Sequence, residues 1–295
     1  MNSQSNGIPQ SSVESQVIAP PVTRSTRPLY WSIRRELWEN RAIFVAPLAV
    51  AAVVLFGFSI TLTGRRGLAG RSPYDFAASA LMATQILVGV FYSLDALYGE
   101  RRDRSILFWK SLPVSDLTVV ISKASIPIIV VPLLTWAITL VTHFLMLLLS
   151  TIVFAGRGSS VAALWAQVSL FQMSLMLLYH LVTVHSLWHA PFYGWLLMVS
   201  AWARRAVFLW TVLPALAVLA LEKIVFGTSR LGNMLLHRLA GGPEAMTMAS
   251  GMPIDPETHL TPGRFLISPG LWIGLFVTAA FLAAAVRLRR QRGPI

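Results

Sequence analysis

Apolar residues run through this chain in blocks too long for a water-soluble fold. Six stretches approach the roughly 20 predominantly apolar residues that a helix needs to cross a hydrocarbon core. They cover residues 43–63, 74–98, 126–154, 161–187, 207–226 and 271–286. The third is unusually long and is expected to tilt or to project past a bilayer. A further apolar run, Phe192–Ala203, is too short to span and meets Arg204-Arg205 at once. It reads as an interfacial or re-entrant piece between the fourth and fifth spans. Ahead of the first block, Pro28–Arg41 has helical periodicity. Tyr30, Ile33, Leu37 and Trp38 share a face, with Arg34, Arg35, Glu36 and Glu39 elsewhere, which predicts an amphipathic helix lying in the membrane plane.

Composition strengthens this reading. Of 295 residues, 55% are hydrophobic and 12% charged, about half the charged share of a soluble domain. Mean hydropathy is +0.65. The expected class is an all-α membrane protein with six transmembrane helices. Residues 1–27 are Ser-, Gln- and Pro-rich and read as a disordered cytoplasmic tail. No cleavable signal peptide is apparent, so the first apolar block is expected to act as the targeting signal. The expected organisation is an interfacial helix over 28–42, a six-span domain over 43–290, and a short tail over 291–295. Within the domain, about 227–270 forms a Gly- and Pro-rich outer loop with one amphipathic stretch, Leu231–Leu239.

Charge sets the orientation. The chain carries 24 Lys and Arg against 12 Asp and Glu, net +12. In a soluble protein this would suggest nucleic acid; here it marks cytoplasmic loops beside anionic lipid. Arg24, Arg27, Arg34, Arg35 and Arg41 precede the first span. Arg101, Arg102, Arg104, Lys110 and Lys123 follow the second, Arg204 and Arg205 the fourth, and Arg287, Arg289, Arg290 and Arg292 the sixth. This places both termini in the cytoplasm. Arg65, Arg66 and Arg71, in the first outer loop, run against the rule. The absence of cysteine excludes disulfides, zinc thiolate sites and Fe–S clusters.

The segment from Gly99 to Ser115 carries the most information. A dense charge cluster, Glu100-Arg101-Arg102-Asp103-Arg104, leads into a short apolar stretch with Phe108 and Trp109. Pro113 then stops the helix. Ser115 can cap the next one, with Asp116 at its positive end. A short helix, charged at one end and aromatic along its length, suits docking onto a cytoplasmic protein; a plain positive-inside loop with an interfacial Trp fits the composition equally well.

The run Glu100-Arg101…Ser105-Ile106-Leu107…Ser111-Leu112-Pro113-Val114-Ser115 resembles the first cytoplasmic loop of ABC-2 type transporter permeases. In that family a Glu-basic pair opens a coupling helix, a Gly-Thr-Leu-like step follows, and a Leu-Pro-aliphatic-Ser/Thr turn ends it. The chain departs at Arg104-Ser105-Ile106, where a Gly-Thr pair is common. The six spans, the N-terminal in-plane helix, the cytosolic termini and the outer loop before the last span resemble the same family. The resemblance implies a coupling helix at about 100–113, with Glu100, Arg101, Arg104, Phe108, Trp109 and Pro113 facing an ATPase. It also implies a separate ATPase subunit that binds ATP and Mg, a second permease chain in a homodimer or heterodimer, and the bacterial cytoplasmic membrane. Export is the implied direction. No Gly-x-x-x-x-Gly-Lys-Ser/Thr phosphate loop and no Gly-Lys pair occurs, so the chain itself is expected to be a transport permease rather than an enzyme, with no cofactor of its own.

The fourth span is the most polar. Ser169, Gln172, Tyr179, His180 and Thr183 fall near one helical face. Such groups at membrane depth line a cavity or glue helices together; as a face they are candidates for a transport pathway. His180, His185 and His189 recur at five- and four-residue spacing, and only the last two sit at i,i+4. No carboxylate nearby completes a metal site. Two other classes of function stay open: an intramembrane enzyme using His180 or His185, and a scaffold for another membrane complex. No nucleophile–base set supports the first.

Overall fold

The computed structural model describes residues 28–63, 73–111, 114–156, 161–240 and 262–293. The 1–27 tail, Pro113 and the centre of the outer loop lie outside them. The described residues are helical, with no strand among them. Six helical stretches are long and apolar enough to cross a membrane: Ala42–Leu62, Pro73–Arg102, Asp116–Gly156, Leu164–Trp188, Val207–Phe226 and Pro269–Gln291. This is the architecture of a multi-pass membrane protein.

Helix α1 (Pro28–Glu39) precedes α2 (Ala42–Thr63) and α3 (Pro73–Asp95). After a two-residue turn come α4 (Tyr98–Arg102) and α5 (Ser105–Ser111). The third long element is α6 (Asp116–Ser125), a π-helical turn (Ile126–Val130) and α7 (Val131–Gly156). The expected start at residue 126 falls ten residues inside it. Ser115 caps α6 as expected, its hydroxyl accepting the Thr118 amide at 3.1 Å. Pro127 and Pro132 each lack an amide donor, and the widened π turn, which contains the first and ends two residues before the second, accommodates the interrupted ladder.

α2, α3 and α7 form the first packing unit. Ala51, Leu81 and Ile138 share one buried cluster, and Val88 and Val131 another, so α3 and α7 run antiparallel. At one end His143 Nε2 donates to the Tyr74 carbonyl at 3.0 Å. α1 packs on α6 through Ile33 and Leu37, while Tyr30 and Trp38, expected on that face, are exposed.

The fourth element is broken. α8 (Val161–Gln167) ends at Val168–Ser169; α9 (Leu170–His180) then passes into a second π-helical stretch, Leu181–Trp188. α10 (Ala190–Trp202) follows at once. The sequence suggests an interfacial or re-entrant piece here; in the fold it is a largely buried helix. It lies along α14 (Pro269–Gln291), with Gly194 against Thr278 and Phe281. On its other side the Tyr193 ring abuts Gly89 of α3, where a Cβ would fall 2.9 Å from the ring. Glycine at 89 is what permits that approach. The run is short because it completes the fourth element instead of crossing alone.

α11 (Val207–Phe226) stands at the edge of the bundle, with only Val207 and Glu222 buried. Gly227 ends it with φ 63°, a left-handed conformation that glycine adopts freely. α12 (Arg230–Leu239) and α13 (Pro262–Ile267) then lead to α14. Glu222 accepts the Leu231 amide and the Thr228 hydroxyl, joining α11 to the start of α12.

Candidate functional site

At one end of the bundle α1, α4, α5, α6, α10 and α14 meet around Glu100. The break between α3 and α4 leaves two amides without helical acceptors. Ser200 of α10 supplies one: its hydroxyl accepts Leu97 N at 3.1 Å and Tyr98 N at 2.9 Å, and donates to Leu94 O at 2.8 Å. This bond set fixes the direction in which α4 leaves the bundle.

Glu100 and Arg101 then point inward, into the bundle. Glu100 Oε2 accepts from Arg289 of α14 at 3.0 Å, and Oε1 lies 3.2 Å from Lys123 Nζ of α6. Lys123 also donates to Glu36 of α1 at 2.9 Å, and Tyr92 OH donates to the other Glu36 oxygen at 2.8 Å. Arg289 Nε lies 3.1 Å from Asp116, at the start of α6. Glu36, Lys123 and Arg289 are each at most 3% exposed. Such charges survive burial only when paired. Arg101, 3% exposed, donates to the carbonyls of Ala201 at 2.6 Å and Ala203 at 3.1 Å. These are the open acceptors at the C-terminal end of α10, where a cation is also favoured by the helix dipole.

The outward-facing residues are the next ones. Arg104 takes φ 60° and turns the chain into α5. Ile106 anchors α5 at 1% exposure, while Leu107 and Phe108 are 58% and 60% exposed. Trp109 is half-buried. The Arg35 guanidinium of α1 stacks over its ring, 3.1 Å from the centroid, and Phe108 meets it edge-on at 5.0 Å. Beside α4, Arg102 hydrogen-bonds Asp103 at 2.9 Å and holds that carboxyl below the usual range. Arg102 also lies 3.7 Å from Asp95. A cleft of about 420 Å³ opens between α1 and α5, lined by Arg35, Glu39, Asp95, Glu100, Phe108 and Trp109 among others.

The polar residues of the fourth element do not form one face. Ser169 sits in the break before α9 and is exposed, as is Gln172. Tyr179 is half-buried, and His180 and Thr183 are buried. The π-helical stretch that follows His180 brings His180 and His185 into line, which α-helical spacing does not. Its i→i+5 bonding widens the turn and brings His185 beneath His180, and His189 follows beneath His185, with ring centroids 5.5 and 5.6 Å apart. Among the described residues no group of three or more His, Cys, Asp or Glu is placed to hold a metal ion.

A second junction lies at the far end of α14. Arg238 of α12 donates to the carbonyls of Trp188 at 3.1 Å and Gly270 at 2.8 Å, and stacks on the Trp188 ring at 4.5 Å. Burial lowers its pKa from the ordinary arginine value. Its guanidinium tip fills the space that a Cβ on Gly274 would take.

Sequence reading missed the Glu36–Lys123–Glu100–Arg289–Asp116 network. One signal was present: Glu36 stands three residues after Ile33 and beside Leu37, on the packed face of α1, and Lys123 interrupts an apolar run. An acid and a base on two packed faces point to each other. Nothing in the sequence distinguishes Arg289 from Arg287 or Arg290. No family model, curated protein or solved structure matches the chain.

Proposed function

We propose that this chain is the membrane-spanning permease subunit of an ATP-driven transporter of the ABC-2 type, working as an exporter. A separate ATPase subunit binds and hydrolyses ATP with Mg. The permease pairs with a second permease chain in the bacterial cytoplasmic membrane, with both termini in the cytoplasm.

One observation carries the reading. α5 offers Leu107 and Phe108 outward, while the adjoining α4 grips three bundle elements through Glu100 and Arg101. A push on α5 therefore reaches α6 through Lys123, α14 through Arg289 and α10 through its terminal carbonyls. In this mechanism the ATPase groove takes Phe108 and Leu107. Arg104 steers the encounter, and Trp109 braces α5 against Arg35 of α1. Glu100 and Arg101 are positioning residues that pass the movement inward. The left-handed turn at Arg104 adds support, since it opens the Arg104-Ser105-Ile106 stretch in which the family commonly has a Gly-Thr pair, and glycine suits that conformation.

His180, Thr183 and Tyr179 remain the pathway candidates of the fourth element, and the exposed Gln172 and Ser169 serve an interface with the second chain. The test is co-purification with a co-expressed ATPase subunit, read together with its ATP hydrolysis rate. Phe108→Ala is expected to weaken binding by about 30-fold, the equivalent of about 2 kcal/mol for a lost interface anchor. Parent-like binding and stimulation would overturn the docking role.

A further inference from the structure

Helix α1 carries four charged side chains, and three have counter-ions within the protein. Arg35 pairs with Glu39 at 2.7 Å, and Glu36 with Lys123 at 2.9 Å. No ion pair joins Arg34 to a described residue. Its guanidinium instead stacks against two indoles, 5.3 Å from the Trp31 ring and 5.0 Å from that of Trp38. The three residues are spaced i, i+3, i+7 and form one stripe. Trp31 is 56% exposed and Trp38 71% exposed. The stripe lies opposite Ile33, Glu36 and Leu37, the residues that seat α1 on the bundle. It therefore faces sideways, and the first long apolar helix starts only four residues after Trp38, at Ala42.

That placement selects the occupant. Indoles concentrate at the boundary between hydrocarbon and headgroups. A planar guanidinium is suited to phosphate oxygens, which it can grip through two parallel N–H donors. Cation–π contact with both rings leaves the in-plane donors of Arg34 available for an anion. We propose that Trp31, Arg34 and Trp38 form a binding site for the phosphate of an anionic lipid headgroup. The lipid tails lie along the start of α2, and the indoles flank the headgroup. The site ties α1, and through Arg35 also α5, to the membrane surface. It does not depend on transport activity.

The test uses the full chain reconstituted without ATPase or nucleotide. Vesicles contain equal parts phosphatidylcholine and phosphatidylglycerol, with spin-labelled lipid of each headgroup reporting relative affinity for the protein boundary. Arg34→Gln should reduce the preference for phosphatidylglycerol about fivefold, the scale of one basic residue at an anionic surface. Trp31→Ala with Trp38→Ala should reduce it in the same direction with the charge retained. Arg204→Gln, which removes an exposed cation from the loop after α10, serves as control and should leave the preference near the parent value. These side chains are exposed, so folding is kept, and a single size-exclusion peak verifies it. Equal effects from Arg34→Gln and Arg204→Gln would reduce the site to general surface charge and overturn the proposal. An unchanged preference in the Arg34 variant would overturn it as well. If that variant instead lost co-purification with the ATPase at unchanged lipid preference, the stripe would be a protein-docking face, and the lipid assignment would be wrong.

Discussion

Glu100→Gln removes one negative charge from the centre of the buried network while keeping side-chain shape. In the parent, Glu100 faces Lys123 at 3.2 Å and Arg289 at 3.0 Å, both almost fully buried. Leaving buried charges short of a partner costs about 3–5 kcal/mol. Here each cation keeps one anion: Lys123 keeps Glu36 at 2.9 Å, and Arg289 keeps Asp116 at 3.1 Å. The loss should therefore fall near the lower end, about 3 kcal/mol. Glu39→Gln is the matched control. Its i,i+4 pair with Arg35 is solvent-accessible, and such pairs contribute about 0.3–0.5 kcal/mol. Thermal unfolding of the purified chains in one detergent ranks the two. A double-mutant cycle with Arg289→Met then isolates the pair, and the double variant should be less destabilised than the sum of the singles. Equal midpoints for Glu100→Gln and Glu39→Gln would refute the claim that Glu100 holds the end of the bundle together.

Other outcomes follow from the same geometry. Arg104→Gly should stabilise the chain by about 1 kcal/mol, the order of the penalty that a side chain meets in a left-handed conformation; a lower unfolding midpoint would contradict the φ of 60° at that position. Trp109→Ala should release α5 from α1 at a cost of about 1–2 kcal/mol from the lost cation–π contact and packing, seen as faster proteolysis between α4 and α6. Gly274→Ala should displace Arg238 and cost about 1–3 kcal/mol through overpacking. Arg238→Ala added to that variant should cost little more, and full additivity of the two midpoint shifts would argue against a shared slot.

Much of the architecture was legible because spanning helices are long and uniformly apolar. The fifth span was read as Val207–Phe226 and is found there. The Ser115 cap was readable from a local bond that needs no tertiary contact. The packing of α10 was not legible because length alone cannot tell an interfacial or re-entrant helix from the inner part of an interrupted span. Only its fit against Gly89 and Thr278 decides between them. The histidine row was hidden for another reason. The four-residue spacing of His185 and His189 is in phase at 3.6 residues per turn, but the five-residue spacing of His180 and His185 comes into line only once the backbone widens to a π-helix. Glu100 and Arg101 stand out in the sequence, yet their direction was not readable. A charged residue next to a spanning segment faces water unless a buried counter-ion lies within reach, and Lys123 and Arg289 come from distant parts of the sequence.

The central claim is that α5 presents Phe108 to an ATP-hydrolysing partner. A photo-reactive amino acid at position 108, in the chain co-expressed with the proposed ATPase subunit, tests this most directly. A second chain carrying the same group at Phe171, which is 79% exposed on α9, is the control. Irradiation should join the ATPase to position 108 and not to position 171. Crosslinking of position 108 to lipid alone, with the ATPase still co-purifying, would contradict the account.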